Sequence, residues 1–153
     1  MKILMVCLGN ICRSPLAEGI MKAQIRTRQL AWIVDSAGTS GWHEGELPDP
    51  RSIEEAQQHG IDITDQRSRK ILPTDLDEFD LILAMDASNY NDLRRLATTD
   101  TQRSKIKMIM NMVAPGQNQN VPDPYYDNGF PKVYNMLESA CLAIVDQYAD
   151  TKS

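Results

Sequence analysis

Lys2–Cys7 is apolar at every step after Lys2, the pattern of a short strand covered on both faces of a parallel sheet. Ser14-Pro15 then joins a favoured N-cap to a favoured first helical residue. Leu16, Ala17, Ile20, Met21 and Ile25 carry the apolar face of that helix to about Gln29. Trp32–Ser36 predicts a second strand, followed by a loop rich in Gly, Ser and Pro over Ala37–Pro50. Arg51–Gln58 predicts a helix stopped by Gly60 in the C′ position. Asp80–Met85 is the third predicted strand and Ser88–Ala97 the next helix, with Ser88 as its cap. Lys105–Asn111 predicts a fourth strand on a less regular alternation. Val133, Met136, Leu137, Ala140, Cys141 and Ile144 fall at helical spacing within a closing helix, Pro131–Tyr148.

This alternation predicts an α/β fold: three layers, a four-stranded parallel doubly wound sheet with helices on both faces. Ligands of such sheets sit beyond the carboxyl ends of the strands, at the topological switch point. The loops Cys7–Ser14 and Ser36–Pro50, and the one after Met85, are expected on that edge. Ala114–Phe130, rich in Pro, Asn and Asp, is 17 residues long, which makes it a functional-loop candidate.

The 153 residues suit one domain, 1–153, and an apolar share of 42% is enough for a buried core. Sixteen Lys and Arg against 21 Asp and Glu leave a net charge of −5. That balance argues against a role resting on nucleic-acid backbone contacts, though a local basic pocket remains compatible with it. The apolar run Ile3–Leu8 ends at Gly9-Asn10, too short for a signal peptide or for a membrane helix of about 20 residues. Cys7, Cys12 and Cys141 are an odd, sparse set that fits a reducing compartment, so a cytoplasmic protein without membrane attachment is expected.

Chemistry concentrates in Cys7-Leu8-Gly9-Asn10-Ile11-Cys12-Arg13-Ser14, between the first strand and the first helix. A strand–loop–helix junction aims backbone N–H groups and the positive end of a helix dipole at one point, which is an anion site. Gly9 and Asn10 tolerate the left-handed backbone that such a cradle needs. The same field pushes a thiol at its mouth toward the nucleophilic thiolate. Arg13 can curl back and present a planar fork to two oxygens of a phosphate-like group. Neither G-x-x-x-x-G-K-[ST] nor G-x-G-x-x-G occurs, so nucleotide- and dinucleotide-binding loops are excluded. A zinc site would need two ligands beyond Cys7 and Cys12. His43 and His59, the only histidines, lack ligand-like spacing and read as ordinary surface or loop residues.

Val6-Cys7-Leu8-Gly9-Asn10-Ile11-Cys12-Arg13-Ser14-Pro15 closely resembles the signature of the low-molecular-weight protein tyrosine phosphatases. Asp35–Trp42, Pro48-Asp49-Pro50-Arg51, Ala84-Met85-Asp86 and Asp123-Pro124-Tyr125-Tyr126 resemble further motifs of that family in the family's order. The resemblance implies a phosphotyrosine phosphatase working through a cysteinyl-phosphate, without metal or cofactor. Cys7 is then the nucleophile, Arg13 the phosphate clamp and Asp123 the general acid. Leu8, Gly9, Asn10, Ile11, Cys12, Ser14 and Ser36 bind phosphate or support the loop, and Ser14 stabilises the thiolate as well as capping its helix. Leu8, Ile11, Trp42, Tyr125 and Tyr126 line the substrate cleft, and Cys12 can form a reversible disulfide with Cys7. Phosphotyrosine proteins are the implied substrates, inorganic phosphate and similar oxyanions the competing ligands, and a monomer the expected state.

One departure concerns the segment 65–71, where many relatives carry a histidine supporting the phosphate loop and Gln66 stands here. Gln can hydrogen-bond but carries no charge. Two rivals share the fold. Arsenate reduction needs resolving cysteines near residues 80–90, where there are none, and arginine phosphatases of this family tend to carry Thr at the place of Ile11. A non-enzymatic phosphopeptide-binding module would require neither Cys7 nor Asp123.

Overall fold

The computed structural model describes residues 1–149. Strands β1 (Lys2–Cys7), β2 (Ile33–Gly38), β3 (Leu81–Ala84) and β4 (Ile106–Met108) form one sheet in the order β2-β1-β3-β4, parallel throughout. Helices α1 (Arg13–Thr27), α2 (Pro50–Gln58), α3 (Asp75–Glu78), α4 (Ala87–Leu96), α5 (Asp100–Lys105) and α6 (Phe130–Ala149) connect and cover the strands. Side chains alternate across each strand. Ile3, Met5, Leu81 and Leu83 therefore pack with Leu16, Ile20, Leu137 and Ile144 of α1 and α6, while Leu4, Val6 and Ile82 meet Leu76, Phe79 and Leu93 on the other face. This is the expected doubly wound α/β sheet. Its strand order reverses between β1 and β3, which fixes the place where a ligand crevice opens. Among the described residues, no helix is long and apolar enough to cross a membrane.

Several element boundaries differ from the sequence expectation. The second strand runs Ile33–Gly38 rather than Trp32–Ser36, because β1 offers ladder partners up to Cys7↔Gly38. The fourth strand is only Ile106–Met108, since β3 ends at Ala84, opposite Met108. Lys105 closes α5, and Ile109–Met112 turns into a 3-10 helix, burying Ile109 and Met110 in succession where a strand would alternate. Helix α1 stops at Thr27, with Gln29 left-handed at φ 54°.

Two predicted caps are also displaced. Asp86, not Ser88, caps α4 by accepting from the Asn89 amide at 2.8 Å. Cys12 occupies the N-cap position of α1 without any side-chain cap bond, and Ser14 lies inside the helix. Helix α2 begins one residue early, at Pro50, capped by Asp49. The short helices α3 and α5 were not anticipated; both are polar segments without a helical apolar repeat.

Candidate active site

The peptides between β1 and α1 are turned by a ring of outward bonds. The carbonyls of Cys7, Leu8, Gly9, Ile11 and Cys12 accept, in order, from Thr39 N (2.9 Å), Ser40 N (2.9 Å), Ser68 Oγ (3.0 Å), Asp49 N (2.8 Å) and Ser52 Oγ (3.2 Å). In a planar trans peptide the N–H points opposite the carbonyl. Tying these oxygens outward therefore aims the amides of Leu8, Gly9, Asn10, Cys12 and Arg13 inward, around the space above Cys7. Asn10 takes the left-handed conformation of the turn, at φ 56°. Gly9 has no positive φ; a Cβ there would lie 3.1 Å from the His43 ring, a tight contact that the part-exposed ring would have to yield to. At the neighbouring strand end, a Cβ on Gly38 would meet the Leu8 carbonyl oxygen at 2.8 Å, so β2 supports the loop by close backbone approach.

Beneath the loop lies a buried polar chain. The Arg69 amide donates to Asn10 Oδ1 at 3.1 Å, which fixes the Asn10 amide group. Its Nδ2 then donates to Ser14 Oγ at 2.8 Å and to Ser36 Oγ at 2.9 Å. Ser36 passes its own hydrogen to Glu18 Oε1 at 2.7 Å, and Lys22 Nζ closes the chain on Glu18 Oε2 at 2.6 Å. Burial pushes the Glu18 carboxyl upward, against the opposing pull of its bonds to Lys22 and Ser36. Since Ser14 Oγ accepts from Asn10, its hydrogen is free for Cys7 Sγ, 3.0 Å away.

Arg13 is buried, and burial by itself would lower its pKa. The charge at Cys7, the bond to Asp86 and the charge of Asp123 outweigh that and raise it. Nη1 donates to Asp86 Oδ2 at 2.7 Å and to the Val121 carbonyl at 2.9 Å, which leaves the Nε/Nη2 edge to face the pocket. Nη2 stands 3.7 Å from Asp123 Oδ2. Asp123 also shapes its own loop, accepting from the Tyr125 amide at 3.1 Å.

One cavity of about 200 Å³ brings together Cys7, Leu8, Gly9, Ile11, Cys12, Arg13, Trp42, Asp123, Tyr125 and Tyr126. Asn10, Ser14 and Ser36 stand behind it in the buried chain. Cys7 is 3% exposed at the floor, whereas Trp42 is 76% and Tyr126 82% exposed at the rim, so the opening is a deep slot with aromatic walls. Burial is the main cause that pushes the Cys12 thiol up to about 12, with the charges of Asp49, Cys7 and Asp123 adding to it.

His43 corrects an expectation: it is no ordinary surface residue but lines the cavity, with Nδ1 on Glu46 Oε2 at 2.7 Å. His59 is exposed, stacked on Tyr134 with ring centroids 3.6 Å apart. Gln66 is buried but takes no part in the Asn10–Ser36 chain; its Nε2 donates to the Pro15 carbonyl at 3.1 Å. Sequence reasoning assigned no role to Asp86, Glu18, Ser40, Ser52 or Ser68. Only Asp86 carried a signal, since it ends the Ala84-Met85-Asp86 motif just beyond a strand.

The family model for low molecular weight phosphotyrosine protein phosphatases matches residues 2–152. A relative in Synechocystis sp., provisionally named as a low molecular weight protein-tyrosine-phosphatase, is 46% identical over 145 residues, 92% of each chain. A protein tyrosine phosphatase from Entamoeba histolytica, crystallised with Hepes in its active site, superposes with a TM-score of 0.92 at 38% identity. That match covers 100% of this chain and 99% of the other. An arginine phosphatase from Drosophila superposes with a TM-score of 0.90 at 35% identity, covering 97% and 98% of the two chains. The loop signature, the cavity it floors and the match along nearly the whole chain agree: the chain belongs to the low molecular weight phosphotyrosine protein phosphatase family.

Proposed function

We propose that this chain, as one domain over residues 1–153, hydrolyses phosphotyrosine in proteins, and small aryl phosphates, in two steps. Cys7 Sγ attacks phosphorus, the bond to the phenolic oxygen breaks, and Asp123 gives that oxygen its proton. Asp123 then takes a proton from water, whose oxygen attacks phosphorus and breaks the P–S bond, releasing phosphate and restoring the thiolate. Inward-facing loop amides and the free edge of Arg13 stabilise the charge on the equatorial oxygens. Ser14 holds the thiolate through the hydrogen that Asn10 leaves free.

The observation that carries this reading is the slot itself: Cys7, Arg13 and Asp123 share one cavity at the bottom of an aromatic shaft. A phenyl ring spans such a shaft between Trp42 and Tyr125 and sets its phosphate on the floor. The shorter phosphoserine leaves its phosphate above the nucleophile. Cys141 is fully buried against the Ala17 carbonyl, 3.8 Å away, so it has no access to the slot as a resolving thiol for arsenate chemistry. The same cradle suits inorganic phosphate and similar oxyanions as competing ligands; the Entamoeba relative holds Hepes, a sulfonate, in its active site. Three free cysteines fit a reducing, cytoplasmic setting, and a monomer leaves the slot open to protein substrates.

Matched phosphotyrosine, phosphoserine and phosphoarginine peptides, offered to wild type and Cys7→Ala, test the reading. Rapid release of phosphate from the phosphotyrosine peptide alone, abolished in Cys7→Ala, is expected. Preference for phosphoarginine, the substrate class of an arginine phosphatase such as the Drosophila neighbour, overturns the substrate assignment; turnover by folded Cys7→Ala overturns the mechanism.

A further inference from the structure

The loop that carries Asp123 is shaped mainly by its own bonds. Tyr125 N donates to Asp123 Oδ1 at 3.1 Å, Asn128 N to the Pro124 carbonyl at 3.0 Å, and Gly129 N to Asp127 Oδ1 at 3.0 Å. Such local bonds fix its curvature but not its height above Cys7. On the upstream side the height is set by Val121, whose amide donates to the Met85 carbonyl at 2.8 Å and whose carbonyl accepts from Arg13. On the downstream side a side chain from α2 reaches across. Arg51 Nη1 donates to Asn128 Oδ1 at 2.6 Å, and the guanidinium lies 5.4 Å from the Tyr125 ring centroid and 4.9 Å from that of Phe130.

The other edge of the same guanidinium is gripped by Asp49, with Nε on Oδ1 and Nη2 on Oδ2, both at 3.0 Å. Burial raises the Asp49 carboxyl, but its bonds to Arg51 outweigh that and hold it below its ordinary value. Asp49 is in turn fastened to the phosphate loop through its amide on the Ile11 carbonyl, and Ser52, one residue past Arg51, binds the Cys12 carbonyl. The first turn of α2 thus holds the cradle of the nucleophile with one set of atoms and the loop of the acid with another.

We infer that Arg51 is a positioning residue: gripped by Asp49, it holds the Asp123 loop at a fixed height over Cys7 and so sets how efficiently the leaving oxygen is protonated. The inference rests on the general-acid reading of Asp123 made above. A planar fork with donors on both edges bridges two acceptors in one fixed geometry, which the compact ammonium of a lysine does not reproduce. Misplacement of a catalytic group by about 1 Å costs up to about 10²-fold in rate. The upstream tie persists without Arg51, so Arg51→Ala is expected to lose roughly tenfold where acid assistance matters.

The test is kcat/KM across aryl phosphates, from p-nitrophenyl phosphate to phenyl phosphate, for wild type, Arg51→Ala, Arg51→Lys, Asn128→Gly and Asp123→Asn. Asn128 sits at φ 59°, so glycine keeps its backbone while deleting the oxygen that Arg51 holds. It carries the test if Arg51→Ala fails to fold. Arg51→Ala and Asn128→Gly are expected to lose about tenfold on phenyl phosphate and less than about twofold on p-nitrophenyl phosphate. Arg51→Lys recovers part of the loss, and iodoacetate alkylates Cys7 at the wild-type rate in all three. A loss that is equal across leaving groups, or no loss, overturns the role of Arg51. A steep dependence in Asp123→Asn beside a flat one in Arg51→Ala sinks this inference alone; a flat one in Asp123→Asn takes the general-acid reading down with it.

Discussion

Ser14 has one hydroxyl and two possible uses for it, capping α1 or holding the sulfur of Cys7. The fold decides through Asn10: Arg69 takes the Asn10 oxygen, the Asn10 nitrogen takes the Ser14 oxygen, and the Ser14 hydrogen is left for Cys7. A donor to a charged acceptor contributes about 1.5–3 kcal/mol, and an orphaned buried donor costs about 1–3 kcal/mol. Ser14→Ala removes the first and creates the second at the Asn10 nitrogen. Its single-turnover rate of phosphate release is expected to fall roughly 10- to 100-fold, with a stability loss of a kind that denaturant titration detects. An unchanged single-turnover rate in folded Ser14→Ala removes the hydroxyl from the chemistry and returns it to structure. Reading the letters alone, a Ser before Pro at a helix start points to a cap. The bond that matters is set by Asn10, four positions before Ser14, and through it by Arg69, 55 positions after Ser14, which no local rule contains.

At the scale of elements, Gly19 shows how packing overrules propensity. It lies in α1, where alanine is the better helix former by about 1 kcal/mol. A Cβ there, however, lands 2.5 Å from Ile63 Cγ2, a branched and fully buried side chain that has no free end to swing away. Overpacking of this kind costs about 1–3 kcal/mol, more than the propensity gain. Gly19→Ala is therefore expected to lower the unfolding midpoint, and to lower it less in an Ile63→Ala background, where Cγ2 is gone; a raised midpoint in the single variant refutes the clash. The long elements were legible because their apolar patterns are strong: β1, β3, α1 and α6 lie where periodicity places them. The elements that were not legible have tertiary causes. The length of β4 is limited by where β3 ends, α3 and α5 are polar, and the cap of α4 went to Asp86 while a serine stood two residues further on. The site divides the same way. Its chemistry was visible as eight consecutive residues, whereas the outward bonds that aim the loop amides come from Thr39, Ser40, Asp49, Ser52 and Ser68, on three other segments.

At the scale of the whole molecule, the fold decides which of three thiols can meet. Cys141 is sealed between α6 and α1, while Cys7 and Cys12 line one cavity. Peroxide is expected to oxidise Cys7 to a sulfenic acid with release of water, and attack by the Cys12 sulfur then to form the disulfide and release a second water. The rate of that second step follows the thiolate fraction of the attacking group. Burial above all pushes Cys12 up to about 12, so at neutral pH only a small fraction presents the thiolate. Oxidation of Cys7 removes one of the charges that raise Cys12, but burial, the larger cause, remains. Resolution is therefore expected to be slow near pH 6.5 and to quicken about tenfold per pH unit toward pH 8.5. After prolonged peroxide exposure, reductant should restore more activity to wild type at the higher pH, and sulfinic Cys7 should accumulate at the lower. Cys12→Ser should recover poorly at both. Peptide mapping beside the activity assay reads the outcome: a Cys7–Cys141 bridge, or recovery of Cys12→Ser equal to wild type at pH 8.5, removes Cys12 from the protective role.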